Sequence, residues 1–240
     1  MGAGTASAPS RGSAALAGVA YLVTIAAGVF AEAFVCGTLV VRDDAAATAA
    51  NLLAREGLYR AGLGADLAMI AAYVVVTLLF YAMFKPVRGH ASLLAAFFSM
   101  LGIAVLAADA ALHIAPMLLL KSEPAAAAFE PTQLQALALL SLRLHSQLYV
   151  VAMVFFGVYC LLIGWLAFAS RFLPKFIGVL MAIGGIGYLV KCLAILLASD
   201  LADRIPDTMA LGGLAELALS LWLVLVGAGA LKWRNAGATA

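Results

Sequence analysis

Five ionisable side chains stand inside long apolar runs of this chain: Glu32, Asp66, Asp109, Lys191 and Glu216. A charged group in hydrocarbon is costly, so each marks a functional site by default. Two histidines join them. His113 follows Asp109 by four residues, on the same helical face, and His145 lies on the next apolar run. Imidazole beside carboxylates suits proton transfer, or a divalent metal held through His113, His145 and Asp109. The plainer reading has both histidines hydrogen-bonding to neighbours or water at the membrane interface. The chain lacks a dense metal motif such as HExxH, so no cofactor is expected beyond that metal alternative. Arg60 and Tyr149 complete a candidate ligand-binding set of Glu32, Arg60, Asp66, His145, Asp109, Glu216, Lys191 and Tyr149. Within it, Lys191 is expected to pair with Glu216, and Arg60 with Glu32, Asp66 or a lipid phosphate. Cys36, Cys160 and Cys192 are scattered, odd in number and without metal-ligand spacing, which favours ordinary apolar packing.

The elements that must position these groups follow from composition. Hydrophobic residues make up 66% of the chain and charged ones 11%, with a mean hydropathy of +1.10. A soluble domain averages roughly 45–50% apolar and about 25% charged residues, so an all-α, polytopic membrane protein is expected and a soluble or nucleic-acid-binding one is not. Six apolar runs are long enough to span: about 14–41, 58–84, 91–120, 145–168, 176–198 and 209–231. They define a six-helix bundle over 14–232, flanked by a polar tail over 1–13, expected to be disordered, and a second tail over 233–240. Asp43-Asp44 followed by an Ala/Leu-rich stretch predicts a short interfacial helix between the first two spans. Thr132 to Leu144 reads as an amphipathic lead-in to the fourth.

An even number of spans puts both termini on one side. That side carries Arg11, Lys85, Arg88, Arg171, Lys175, Lys232 and Arg234 without an acid, whereas the opposite loops mix Arg42, Arg55, Lys121 and Arg204 with acidic residues. The positive-inside rule makes the basic side cytoplasmic, in a bacterial cytoplasmic membrane. Counting up from it at about 1.5 Å per residue, Glu32, Asp66 and Asp109 all reach roughly 27 Å, with Glu216 and Lys191 near 22 Å. Glycines precede Glu32, Asp66, Lys191 and Glu216 by four residues, and small residues mark helix-packing faces. One outward-facing polar layer inside the bundle is the expectation.

The stretches Gly28-Val-Phe-Ala-Glu32-Ala-Phe-Val35, Asp43 to Asn51, Arg60 and Asp66, Lys85-Pro86-Val87, the His145-to-Gly164 span and Phe172-Leu-Pro174 to Tyr188 carry a resemblance. Together they resemble a bacterial integral-membrane family catalogued as a domain of unknown function (DUF4386). The resemblance implies the membrane fold and no activity. It places Glu32, Asn51, Arg60, Asp66 and His145 at recurrent polar positions, and leaves Asp109, His113 and Lys191 outside that pattern.

Three classes of function fit these residues. The polar layer could bind or transport a small polar ligand, a cation or a lipid headgroup within the bilayer. It could serve a membrane-embedded hydrolase, with or without a metal, that uses His145 and the carboxylates. Or it could belong to a structural or accessory membrane protein, in which it only packs helices.

Overall fold

The computed structural model describes residues 9–233. Residues 1–8 and 234–240, most of the two expected tails, lie outside the described residues. Helix α1 begins at Arg11 and runs to Gly28, passes into a π-helix over Val29–Cys36, and closes with the single turn α2, Gly37–Leu39. The short helix α3, Ala45–Ala54, follows. Helices α4, Glu56–Phe84, and α5, Gly89–Lys121, come next, and the short α6, Glu123–Ala128, leads on to α7, Pro131–Ala169. The chain ends with α8, Lys175–Leu197, the single turn α9, Ser199–Ala202, and α10, Met209–Gly227. No strand occurs among the described residues.

Six of these stretches are long and apolar enough to cross a membrane: Arg11–Leu39, α4, α5, α7, α8 and α10. Their outer faces are apolar too, with Leu78, Leu118 and Leu214 all exposed, as a hydrocarbon solvent requires. The helix expected between the first two spans is present as α3, with the Asp44 carboxylate capping the Ala47 N–H at 2.8 Å. The lead-in to the fourth span forms one continuous helix with it, because no Gly or Pro interrupts the apolar period between Thr132 and Val150.

Chain contacts resolve two compact units. The first takes the chain through Val23, then Ala72–Ile103 and Val150 onward; the second takes Thr24–Ala71 and Ala104–Tyr149. In the first unit, helices meet backbone to backbone. A Cβ added at Gly164 would sit 2.7 Å from the Gly178 carbonyl oxygen, and one at Gly178 would sit 2.6 Å from the Gly164 carbonyl oxygen, so neither position admits a side chain. In the second, Val35, Leu39, Leu52, Tyr59, Met117 and Leu142 form a buried apolar cluster. Thr48 ties α3 to the chain after α2, accepting from the Val41 N–H at 2.9 Å and donating to the Val41 carbonyl at 3.0 Å. Asn51 donates to the Leu39 carbonyl at 3.2 Å, satisfying one of the acceptors that a helix end leaves open.

Candidate functional site

His145 is the hub of the second unit. Its Nε2 lies 3.0 Å from Glu32 Oε1 and its Nδ1 lies 2.9 Å from Asp109 Oδ1. His113 sits 2.7 Å by its Nδ1 from Asp66 Oδ2. The ring of His113 meets that of His145 edge-on, with centroids 5.0 Å apart. Asp66, Asp109, His113 and His145 are all buried, and Glu32 is half-buried.

The i, i+4 spacing of Asp109 and His113 on α5 does put both on one face, yet they do not serve each other. Each reaches across to another helix: Asp109 to His145 on α7, His113 to Asp66 on α4. Only the Glu32–His145 contact has full hydrogen-bond geometry. The Asp66–His113 and Asp109–His145 separations are short enough for hydrogen bonds but misaligned, leaving Asp66 Oδ2, Asp109 Oδ1 and His145 Nδ1 without an aligned partner. Both ring nitrogens of His113 are in the same position.

Two backbone irregularities hold the cluster. Within the π-helix, the Gly37 N–H bonds to the carbonyl of Glu32, five residues back, rather than four. Such wide turns frequently occur at functional sites, and this one carries both Glu32 and Cys36. In α5, Pro116 follows His113 by three residues and offers no N–H to the Leu112 carbonyl, which loosens the ladder there. The buried Tyr59 hydroxyl donates to the adjacent carbonyl, that of His113, and the two rings pack tilted, with centroids 4.7 Å apart.

Cys36 is the residue that sequence reasoning missed. One ligand atom each from Cys36, His113 and His145 come within 4.8 Å of one another. Ligand atoms around a tetrahedral zinc are roughly 3.3–3.7 Å apart, so a metal would draw this trio together by about 1 Å. The one available signal was that Cys36 follows Glu32 by four residues. Its three-cysteine, no-motif context argued the other way.

Other expected members are placed elsewhere. Arg60 does not pair with Glu32 or Asp66; it is exposed and bonds Glu56 at 2.8 Å, and Lys121 meets the same carboxylate at 2.7 Å. Arg60 precedes Asp66 by six residues, whereas Glu56 lies one turn before Arg60 on the same helix and is the acid it reaches. Lys191 does not pair with Glu216. Its ammonium donates to the Ala202 and Ile205 carbonyls at 2.8 and 2.9 Å, capping the chain end around α9. Glu216 belongs to the first unit, with the Tyr73 hydroxyl at 3.3 Å and the Cys160 thiol at 3.4 Å from its Oε1. Tyr149 lies half-buried on α7, one turn after His145.

No curated protein and no solved structure matches this chain. A family model described as a domain of unknown function does match, over residues 16–227, which covers all six apolar helices but for the first turn of α1. The chain that builds this histidine and carboxylate cluster therefore belongs to the DUF4386 family of membrane proteins.

Proposed function

We propose that this multi-pass membrane protein binds a divalent transition-metal cation through Cys36, His113 and His145, with Glu32 as a fourth ligand and Asp66 and Asp109 as orienting partners. The observation that carries this reading is the convergence of three borderline-soft ligand atoms within 4.8 Å, one of them on a fully buried imidazole with no aligned hydrogen-bond partner. A thiol and two imidazoles suit zinc, copper or iron rather than magnesium or calcium. Metal-bound histidines characteristically present their other nitrogen to a carboxylate, and Asp66 and Asp109 stand at the imidazoles of His113 and His145 in that way. A thiolate and a carboxylate would neutralise a divalent charge, which is what a site surrounded by hydrocarbon needs.

Glu32 supports an alternative role for the same metal. Its side chain is 27% exposed, against 3% and 4% for His145 and Asp109. A metal-bound water could lose its proton to such a carboxylate and attack a substrate, which is the hydrolase chemistry. The basic residues around Lys85–Arg88 and Arg171–Lys175 support termini on the cytoplasmic side.

Elemental analysis of protein purified without chelator tests the cation reading. One equivalent of zinc or a neighbouring metal per chain is expected, and it should be lost in His113→Ala and His145→Ala. Wild-type protein that is metal-free and takes up no added zinc would sink the reading.

A further inference from the structure

Glu216 sits in α10 with only 6% of its surface exposed, in the unit that does not hold the histidine cluster. Phenols and a thiol face it from helices other than its own. Tyr73 from α4 and Cys160 from α7 hydrogen-bond to its Oε1 at 3.3 and 3.4 Å, and Tyr21 from α1 and Tyr188 from α8 stand near the carboxyl. Tyr159 of α7 lies within electrostatic range. Lys191, the nearest cation along α8, is held at the Ala202 and Ile205 carbonyls.

The space around Glu216 decides what it can bind. Tyr73 packs on Phe156 with centroids 4.6 Å apart, Tyr21 on Phe80 at 5.5 Å and on Tyr73 at 5.8 Å. Those are contact distances for aromatic rings, so the phenols at the carboxyl are held in packed positions. The ring of Tyr188 lies directly over Gly212, one turn before Glu216, where any side chain would collide with it. A hard metal ion is poorly served, because a thiol stands at Oε1 and hard cations want oxygen on all sides. A proton needs no volume.

The hydroxyls suit a proton in a second way. A phenol can donate to a carboxylate or turn and accept from a carboxylic acid, so the shell around Glu216 keeps hydrogen bonds in either state. The shell also has spare capacity: the Tyr159 hydroxyl is buried and without a hydrogen-bond partner. From this geometry we infer that Glu216 is an exchangeable intramembrane proton-binding site, with Tyr73 and Cys160 as its hydrogen-bond partners and Tyr21 and Tyr188 beside them. The site is independent of the metal reading, since none of its residues is among the proposed ligands.

Infrared difference spectroscopy across a pH titration of the purified full-length protein reads the carboxyl directly, without a reagent having to reach it. The expected result is the C=O stretch of an un-ionised carboxylic acid that gives way to carboxylate bands as pH rises, reverses on acidification, and is absent from Glu216→Gln. Tyr73→Phe keeps the ring and removes one donor, and it should move the midpoint by about one pH unit. A band that never titrates, or carboxylate bands throughout, overturns the inference. Sodium or potassium that converts the band at constant pH also overturns it, in favour of an alkali-cation site. An unchanged helical spectrum in Glu216→Gln is the check on folding, and Tyr73→Phe keeps the question open to test if that variant is misfolded.

Discussion

The two buried polar clusters of this protein are built from opposite inventories. The histidine cluster has two imidazoles, a thiol and three carboxylates, a set dense in formal charge and in metal ligands. The Glu216 cluster has one carboxylate and a shell of phenols with a single thiol. Charge density demands either a cation or several protons; a phenol shell around one carboxyl demands neither. The backbone follows the same division. The histidine cluster rests on a π-helix and a proline-interrupted helix, where the i, i+4 ladder is bent to aim side chains. Glu216 rests on regular helices, which in its unit pack through glycine contacts that admit no adjustment.

That contrast can be broken by substitution. The largest effect is expected from His145→Ala, which strips Asp109 and Glu32 of their shared partner. Removing one side of a buried ionic set typically costs about 3–5 kcal/mol, so a large fall in thermal midpoint in detergent should accompany loss of metal. Glu216→Gln, which keeps the shape inside a shell of hydroxyls, should by comparison unfold within about 1 kcal/mol of wild type. Equal losses in the two variants would erase the distinction between the clusters.

Gly178→Ala probes the rigid packing rather than the chemistry. Its added methyl meets a carbonyl oxygen of a neighbouring backbone, and overpacking of this kind costs about 1–3 kcal/mol. Metal content should not change, because neither Gly178 nor Gly164 is among the proposed ligands, and elemental analysis of the variant checks it.

Acid sharpens the comparison. Cysteine and histidine must shed protons to bind a metal, so zinc affinity should weaken as pH falls, by about tenfold per unit for each proton displaced. Competition with a zinc indicator between neutral and mildly acidic pH measures this. Affinity that is flat with pH would point away from Cys36, His113 and His145 as ligands. Tyr59→Phe removes only a hydroxyl bond to the His113 carbonyl and should cost about 1 kcal/mol, with weaker zinc retention. Smallest of all, Arg60→Ala should leave both thermal midpoint and metal content unchanged, because the pair it makes with Glu56 is solvent-exposed.

The spans were legible in the sequence because their signal is local: length and apolarity suffice, and the helices agree with both. The short helix α3 was legible for the same reason, through the Asp44 cap. Depth along a helix could also be counted, and Glu32, Asp66 and Asp109, which it puts at one level, all lie beside the two histidines. Depth says nothing about lateral placement, however. Glu216 has the depth expected of the same layer, yet its partners are Tyr73 and Cys160. Lys191 was misjudged because ion pairing looked like the only way to satisfy an ammonium. Its long stem instead carries it to backbone carbonyls at the chain turn. Cys36 was invisible because its role depends on a wide helical turn, and no residue in Val29–Cys36 announces one.

That wide turn makes the protein sensitive to length in a way that substitutions cannot reveal. A π-helical stretch amounts to surplus chain accommodated inside an otherwise regular helix, so deleting one residue between Val29 and Ala31 would let the ladder heal. The span would survive such a deletion with its hydrogen bonding improved. The segments before and after it would keep nearly their present phase, because the wide turn already absorbs the extra residue, but Glu32 and Cys36 would change their angle to one another, since each residue of a π-turn advances by less than the α-helical step of about 100°. The irregularity thus sets the angle between Glu32 and Cys36 within the span, independently of the residues on either side of it.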